Sequence, residues 1–183
     1  MLSISDIDIA ILRLIHENRA LWLDGFFYSL SFTTTLVSVG ILLTVFYCSL
    51  RSNPQLRAAG AKMAATFMLA IAVSFALKVS IQRNRPFVTY PEIQKLSEAG
   101  SASFPSGHTT EAFALAFAAL FFLPEKMLAA PVFIWACLVA YSRMALGVHY
   151  PSDILAGLVT GLLAGFTVQQ ADKFVLIWKK KTT

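Results

Sequence analysis

Residues 25–50 read GFFYSLSFTTTLVSVGILLTVFYCSL, an apolar run of 26 residues without a charged side chain. A helix of about 20 apolar residues crosses the hydrocarbon core of a bilayer, so this run is long enough to span a membrane with some tilt. The stretch therefore predicts a membrane protein.

The composition of the whole chain agrees with this interpretation. Of its 183 residues, 57% are hydrophobic and 14% are charged. A soluble domain is typically about 45–50% apolar and about 25% charged, and a soluble chain of this size could not bury so much apolar surface. The net charge is +5, but the basic residues are scattered or flank apolar runs. This is the usual pattern around membrane helices, so we expect no nucleic-acid partner.

Further apolar runs follow the first one. We predict additional spans at residues 58–81, 106–123, 127–145 and 152–178, with a polar loop at 82–104 that contains a short helix over about 91–98, started by Pro91. Small residues recur every fourth position in the last span and should let a neighbouring helix approach closely, namely Gly157, Gly161 and Gly165. The sequence thus predicts an all-α integral membrane helix bundle with about five transmembrane helices, in a single domain covering residues 1–183.

The segment before the first span, residues 1–22, is too polar to cross a bilayer. Its apolar residues follow helical spacing over residues 3–19, and Asp6 and Asp8 are assigned to the polar side of that helix. We predict an amphipathic interfacial helix lying on the membrane; the alternative is an ordinary helix packed on the protein. The charges in this segment also predict that it is not a cleavable signal peptide.

The polar residues of the spans converge on one membrane face, because successive spans alternate in direction. Ionisable residues at membrane depth are costly, so a group of them indicates a functional site. Seven unusual residues are predicted to share this face: Lys78, Arg85, Ser106, His108, Arg143, His149 and Asp153.

The first cluster of this group is Lys78 with Arg85. The two residues are seven positions apart and share a helix face if the helix continues as far as Arg85. A guanidinium fork and an ammonium point charge at a membrane surface suit a phosphate group. The alternative is a pair of basic anchors beside a span.

The second cluster is Phe-Pro-Ser-Gly-His at residues 104–108, where the third span begins. A helix start exposes free N–H groups and the positive end of the helix dipole, which together bind anions. Ser106 is suited to cap the helix and to donate to an oxyanion, Gly107 permits close backbone approach, and His108 is a candidate acid or base.

The third cluster is Ser-Arg at residues 142–143, followed by His149 and Asp153. Asp153 in the first turn of the last span can accept a hydrogen bond from Nδ1 of His149, which leaves a lone pair on Nε2. This is the base-orienting arrangement of catalytic triads, applied here to a histidine nucleophile. The alternative is a His–Asp pair that only stabilises a helix N-terminus.

In order, the clusters read K-x6-R-P, P-S-G-H and S-R-x5-H-x3-D, and together they resemble the type 2 phosphatidic acid phosphatase family. That family is related to bacterial acid phosphatases and vanadium haloperoxidases. The resemblance implies that His149 attacks phosphorus to form a phosphohistidine, that Asp153 orients it, and that His108 protonates the leaving oxygen. It also implies that the phosphoryl oxygens are held by Lys78, Arg85, Ser106, Gly107 and Arg143.

The position of the site at the mouth of a helix bundle, and not the motifs, implies that the leaving group is a lipid alcohol or a lipid phosphate. Undecaprenyl diphosphate is favoured; phosphatidylglycerophosphate, phosphatidate and lipid A 1-phosphate are the alternatives. No Asp, Glu and His cluster remains for a metal site, so we expect no metal and no cofactor. A haloperoxidase is disfavoured by the spans, and a non-enzymatic membrane protein by the intact His149, His108 and Asp153.

The basic residues also predict the orientation in a bacterial inner (plasma) membrane. Eight lie on the face opposite the site, including Arg51, Lys179 and Lys180. Seven lie on the site face; four remain there, Arg83 among them, once the three candidate site cations are set aside. Because the basic excess stays inside, we expect a cytoplasmic C-terminus and a site on the periplasmic or extracellular face.

Overall fold

The computed structural model describes residues 3–51, 54–100 and 102–182, and the regular elements in these ranges are all helical. The side chains of Arg51, Lys179 and Lys180, which entered the orientation prediction, lie outside the described part. The helices are α1 (Ile4–Glu17), α2 (Asp24–Arg51), α3 (Pro54–Ile81), α4 (Pro86–Thr89), α5 (Gly107–Phe122), α6 (Ala129–Ala145) and α7 (Pro151–Thr182), with 3-10 turns at Leu21–Leu23 and Lys126–Leu128.

Four segments of the described chain are long and apolar enough to cross a membrane: Leu21–Leu50, Pro54–Thr89, Lys126–Ala145 and Pro151–Val175. Large apolar side chains also point outward, as at Phe32 and Leu36 of α2, which are 66% and 68% exposed. Such an apolar exterior suits lipid rather than water. The protein is therefore an integral membrane protein. The third predicted span is a shorter apolar helix, α5, whose 16 residues extend about 24 Å at about 1.5 Å per residue.

Helix α5 lies at the centre of the bundle, in contact with α2, α3, α6 and α7. Its alanine-rich surface is buried, and Ala112 and Ala116 pack with Val139 of α6 and Ile154 of α7. Small side chains at these positions allow the surrounding helices to approach closely. As a result, several helix ends meet around the N-terminus of α5.

The predicted close approach of the last span is confirmed by its glycines. A Cβ atom added to Gly161 would lie 2.6 Å from the backbone nitrogen of Ala114, and one added to Gly157 would lie 2.9 Å from the carbonyl oxygen of Ser106. The backbone of Ser106 also donates a hydrogen bond to the carbonyl of Asp153 at 3.0 Å. The glycines thus bring the N-terminal ends of α5 and α7 together.

Helix α1 packs on α6 and α7 at this same end of the bundle, with Ser3 as its N-cap in a capping box with Asp6. One side of α1 is buried, whereas most of its predicted apolar stripe remains exposed, at Ile4, Ile7, Ile11 and Leu14. The assignment of Asp8 to the polar side was wrong. Asp8 is 4% exposed because its carboxylate accepts hydrogen bonds from the start of α7 and from Arg83.

The loop at 82–104 departs from the sequence prediction in two ways. Its helix is α4, started by Pro86, and residues 91–98 are not helical. The backbone there bonds to other segments instead: Leu96 donates to the carbonyl of Leu146 at 3.1 Å. In addition, α3 ends at Ile81, before Gln82 with its left-handed φ of 48°, so Arg85 lies on an extended segment and not on the helix of Lys78.

Candidate active site

The centre of the candidate site is His149, which lies between α6 and α7 and is 1% exposed. Its Nδ1 lies 3.3 Å from Oδ2 of Asp153, and its Nε2 lies 3.1 Å from Nη1 of Arg85. A guanidinium can only donate, so Nε2 is the acceptor and Nδ1 carries the proton that Asp153 accepts. Burial lowers the pKa of His149 to about 3, against the opposing effect of the hydrogen bond with Asp153. The imidazole is therefore neutral at pH 7, in the tautomer a nucleophile requires.

Asp153 is fixed by more groups than the sequence analysis identified. Its Oδ2 also accepts hydrogen bonds from the hydroxyl of Ser103 and, at 2.9 Å, from the amide of Tyr150. Its Oδ1 accepts from Nη1 of Arg83 at 2.8 Å. The sequence analysis missed Ser103, for which no signal exists, and treated Arg83 as an orientation charge. Arg83 precedes Arg85 by two positions, and alternate residues of an extended segment lie on one side.

Three cations lie together beside the His149–Asp153 pair, and we call them the cation cluster: Lys78 of α3, Arg85 before α4 and Arg143 in the last turn of α6. The three side chains are close enough to repel one another. The Nζ of Lys78 donates to the carbonyl of Ala102 at 2.9 Å, and Nη1 of Arg85 donates to the carbonyl of Val148 at 2.9 Å. Such a concentration of positive charge is a binding site for an anion.

Arg143 gives independent support for an anion site. It is 1% exposed, and Nη1 donates to the hydroxyls of Ser31 and Ser97. Its Nε is buried without a hydrogen-bond partner among the residues that the structure describes. An unpaired buried donor is costly, and a bound oxyanion would satisfy it.

The N-terminus of α5 completes this cluster. Ser106 is the N-cap, as predicted: its hydroxyl oxygen accepts from the amide of Thr109 at 3.5 Å and from the hydroxyl of Thr109 at 2.8 Å. The amides of Gly107 and His108 lie in the first turn and have no partner within the helix. A Cβ atom on Gly107 would approach only Lys78, at 3.9 Å, so this backbone is open towards a site cation. His108 lies within electrostatic reach of the whole cation cluster.

Two cavities adjoin these residues. The larger has a volume of about 520 Å³, and Lys78 and Arg85 line it. The smaller, of about 180 Å³, is lined by Lys78, Gly107 and Glu111. The structure thus brings together all eight residues that the sequence analysis selected. Among the described residues, no three His, Cys, Asp or Glu side chains are grouped so as to hold a metal ion.

The PAP2 superfamily model matches residues 59–175, a segment that contains all eight selected residues. The chain belongs to the PAP2 superfamily. This confirms the resemblance to type 2 phosphatidic acid phosphatases, and it makes the protein a member of a family of metal-independent phosphatases that act on lipids.

Phosphatases that are named for different lipids are similar to this chain. Undecaprenyl-diphosphatase BcrC of Bacillus subtilis (strain 168) is 31% identical over 135 residues, which are 74% of this chain and 69% of that protein. A lipid A 4'-phosphatase of Porphyromonas gingivalis is 31% identical over 153 residues, 80% of this chain and 64% of that protein, just under two thirds of its length.

A solved structure agrees with this assignment. The crystal structure of the transmembrane PAP2 type phosphatidylglycerolphosphate phosphatase from Bacillus subtilis superimposes with a TM-score of 0.78 at 25% identity, covering 96% of this chain and 89% of that one. The family is therefore clear, and the lipid differs among its members.

Proposed function

We propose that this PAP2 phosphatase hydrolyses undecaprenyl diphosphate through a phosphohistidine on His149. The observation that carries the mechanism is that both nitrogens of the neutral His149 imidazole are held. Asp153 accepts a hydrogen bond from Nδ1, and Arg85 of the cation cluster donates one to Nε2. The similarity to BcrC, whose name is undecaprenyl-diphosphatase, supports the choice of lipid. Phosphatidylglycerophosphate, phosphatidate and lipid A phosphates are the alternatives, and other relatives support two of these classes.

In the first half of the proposed reaction, a phosphoryl oxygen replaces Nε2 of His149 as an acceptor for Arg85. Nε2 then bonds to phosphorus while the bond from phosphorus to the leaving oxygen breaks. His108, which takes up a proton from solvent once the bound phosphate offsets the positive charge of the cation cluster, gives that proton to the leaving oxygen. The cation cluster and the first-turn amides of α5 stabilise the charge on the other phosphoryl oxygens. Asp153 stabilises the imidazole ring as it becomes positively charged.

In the second half, water attacks the phosphohistidine. His108, now neutral, takes a proton from that water, the bond between nitrogen and phosphorus breaks, and inorganic phosphate leaves. Nε2 of His149 regains its lone pair and the hydrogen bond from Arg85. Both halves use the same residues, so a single site is sufficient for the complete reaction.

We also propose how the protein lies in its membrane. Helix α5 crosses as a fifth span in the centre of the bundle, and the site faces the outside of a bacterial plasma membrane with the C-terminus in the cytoplasm. The exposed apolar stripe of α1 and Trp22, which is 83% exposed, lie at the membrane surface. A headgroup then reaches the cation cluster from the water side while its hydrocarbon chain stays among the spans.

Labelling tests this orientation. A cysteine introduced as Glu98→Cys, in a variant without Cys48 and Cys137, should react with a membrane-impermeant maleimide added to intact cells, because Glu98 is exposed at the site end. Reaction only after lysis would reverse the proposed topology. Labelling of an exposed residue at the other end, Lys126→Cys, should show the opposite pattern.

Removal of divalent metal tests the proposed role of the cation cluster. Phosphate release by the purified protein should be unchanged by EDTA, because three side-chain cations do the work that Mg²⁺ does in other phosphoryl-transfer sites. Vanadate, which has the geometry of a phosphoryl group in transfer, should inhibit. A strict requirement for Mg²⁺ would contradict this account.

The substrate is tested by measuring phosphate release from undecaprenyl diphosphate, phosphatidylglycerophosphate, phosphatidate and lipid A 1-phosphate in identical detergent micelles. We expect the highest kcat/KM for undecaprenyl diphosphate. A higher kcat/KM for another lipid would make that lipid the proposed substrate and leave the mechanism unchanged. No phosphate release from any of the four lipids would overturn the proposed function.

A further inference from the structure

A chain of ion pairs continues outward from the candidate nucleophile. Arg83, which bonds Oδ1 of Asp153 through Nη1, also donates from Nη2 to Oδ2 of Asp8 at 2.7 Å. The order is therefore His149, Asp153, Arg83 and Asp8, with alternating charge on the last three. The outermost residue belongs to α1, far away in the sequence.

Several further contacts hold Arg83, whose side chain is partly buried. Nη1 also donates to the hydroxyl of Ser152 at 2.6 Å, and the guanidinium carbon lies 3.9 Å from the ring centre of Tyr150. The carbonyl of Arg83 accepts a hydrogen bond from the amide of Ser103 at 2.8 Å. The residue thus holds both Asp153 and Ser103, whose hydroxyl is itself a donor to Asp153. A planar guanidinium with several fixed partners sets the direction of a carboxylate more strictly than an ammonium does.

Asp8 is restrained in the same way. Its Oδ1 accepts from the amide of Ser152 at 2.9 Å, and its Oδ2 accepts from the hydroxyl of Ser152 as well as from Arg83. Ser152 lies in the first turn of α7, where amides lack helix partners and a carboxylate is favoured. The carboxylate of α1 therefore sits beside the same helix end that carries Asp153.

We propose that Arg83 and Asp8 are positioning residues for the nucleophile: Arg83 holds Asp153 in the orientation that aligns His149, and Asp8 holds Arg83. This inference rests on the proposed role of His149. Through Asp8, it makes α1 a part of the catalytic unit.

Arg83 and Asp8 orient the carboxylate of Asp153 and do not bind the phosphate. Arg83 also lines the larger cavity, but both of its Nη atoms donate to carboxylates and to Ser152, and its substitution removes none of the three side chains of the cation cluster. Loss of Arg83 should therefore lower kcat and leave KM and the inhibition constant of vanadate nearly unchanged. A displacement of about 1 Å at a reacting group costs up to about a hundredfold in rate, so we expect a decrease in kcat of about ten- to a hundredfold.

The experiment compares Arg83→Gln, Arg83→Lys, Asp8→Asn and the double variant Asp8→Asn/Arg83→Gln, purified in detergent and assayed with undecaprenyl diphosphate or the lipid of the panel that the wild type hydrolyses fastest. We expect Arg83→Lys to recover part of the activity and Asp8→Asn to have a smaller effect than Arg83→Gln. The double variant should have the kcat of Arg83→Gln alone, since Asp8 acts through Arg83.

A matched control separates positioning from simple attachment of α1. Arg13 of the same helix pairs with Glu92 in the 82–104 loop, and both side chains are about half exposed. Arg13→Gln breaks a second tether of α1 without touching Asp153, so its kcat should equal that of the wild type. An equal decrease in Arg13→Gln and Asp8→Asn would overturn the proposal in favour of attachment alone.

The activities of Arg83→Gln and of the wild type separate this inference from the proposed function. Unchanged kcat in Arg83→Gln, with an active wild type and an inactive His149→Ala, overturns this inference and leaves the proposed function standing. An inactive wild type overturns both. If Arg83→Gln does not fold, Arg83→Lys and Asp8→Asn decide: lower kcat with unchanged vanadate inhibition supports the proposal, and normal kcat in both overturns it.

Discussion

Two ion pairs connect α3, or the segment directly after it, to α7, and they lie at opposite ends of the helix bundle. At the end away from the site, Nζ of Lys62 lies 2.5 Å from Oδ2 of Asp172, and the two side chains are 27% and 30% exposed. At the site end, Nη1 of Arg83 lies 2.8 Å from Oδ1 of Asp153, whose side chain is fully buried. The two contacts have similar geometry but different surroundings.

The difference is in what else each carboxylate contacts. A pair near the surface such as Lys62–Asp172, which is partly exposed, contributes about 0–1 kcal/mol. A buried pair is expensive to form and is retained with further hydrogen bonds, as Asp153 has from Ser103, Tyr150 and His149. The pair at one end only joins two helices, whereas the pair at the other end also orients an imidazole. Four substitutions test this contrast.

His149→Ala should have the largest effect on turnover. The substitution removes the atom proposed to attack phosphorus, so phosphate release should fall far below about a tenth of the wild-type rate. The control is His16→Gln at the same end of the bundle: His16 is also buried, with Nδ1 2.9 Å from the carbonyl of Ala145, and its loss should lower stability but not remove turnover. Activity above a tenth in folded His149→Ala would contradict the assignment.

Arg143→Gln should reduce turnover and vanadate binding without unfolding the protein. Removing one charge-stabilising group costs about a hundred- to a thousandfold in an enzyme of this kind, and vanadate should also bind less well. The melting temperature without ligand should change little, because the loss of a buried cation that repels Arg85 offsets the loss of its hydrogen bonds to Ser31 and Ser97. Vanadate should then raise that temperature less than in the wild type. Unchanged inhibition by vanadate would exclude Arg143 from the anion site.

Gly161→Ala tests the close packing of α7 against α5. The added Cβ atom would meet the backbone of Ala114, so we expect a loss of about 1–3 kcal/mol, measured as a lower melting temperature in detergent. The control is Gly40→Ala on α2, where nothing lies within 4 Å of an added Cβ and alanine favours the helix. Equal melting temperatures for the two variants would contradict the packing described here.

Lys62→Met should have the smallest effect. The pair that it breaks is partly exposed, so stability should change by no more than about 1 kcal/mol and kcat should stay at the wild-type value. Turnover and thermal melting of the same preparation measure both quantities. A decrease in kcat as large as that of Arg83→Gln would mean that the two ion pairs do not differ in function.

The sequence predicted the bundle and the selected site residues because charges are rare in this chain and occur at helix ends that share one face. It could not identify partners that are distant in sequence. Asp8 was placed on a polar side because helical periodicity describes one helix and not its neighbour α7, and Arg83 was treated as an orientation charge because its bond to Asp153 depends on where α3 ends.

The sequence was also ambiguous about where a helix begins when tertiary contacts determine the start. Pro86 and Pro91 are both able to start a helix, and only Pro86 does so, since the backbone after Pro91 bonds to segments such as the one at Leu146. Where the local signal is clear, as at the Pro-Ser-Gly start of α5, prediction and structure agree: Ser106 caps the helix, which begins at Gly107.

In the proposed mechanism, His149 carries the phosphoryl group during turnover. This intermediate can be trapped by mixing the enzyme with substrate labelled in the transferred phosphate, stopping the reaction with alkaline denaturant after short times, and mapping the label on peptides. We expect an acid-labile, alkali-stable label in the peptide that contains His149, and none in His149→Ala. A label on another residue, or turnover with no labelled protein at any time, would contradict this mechanism.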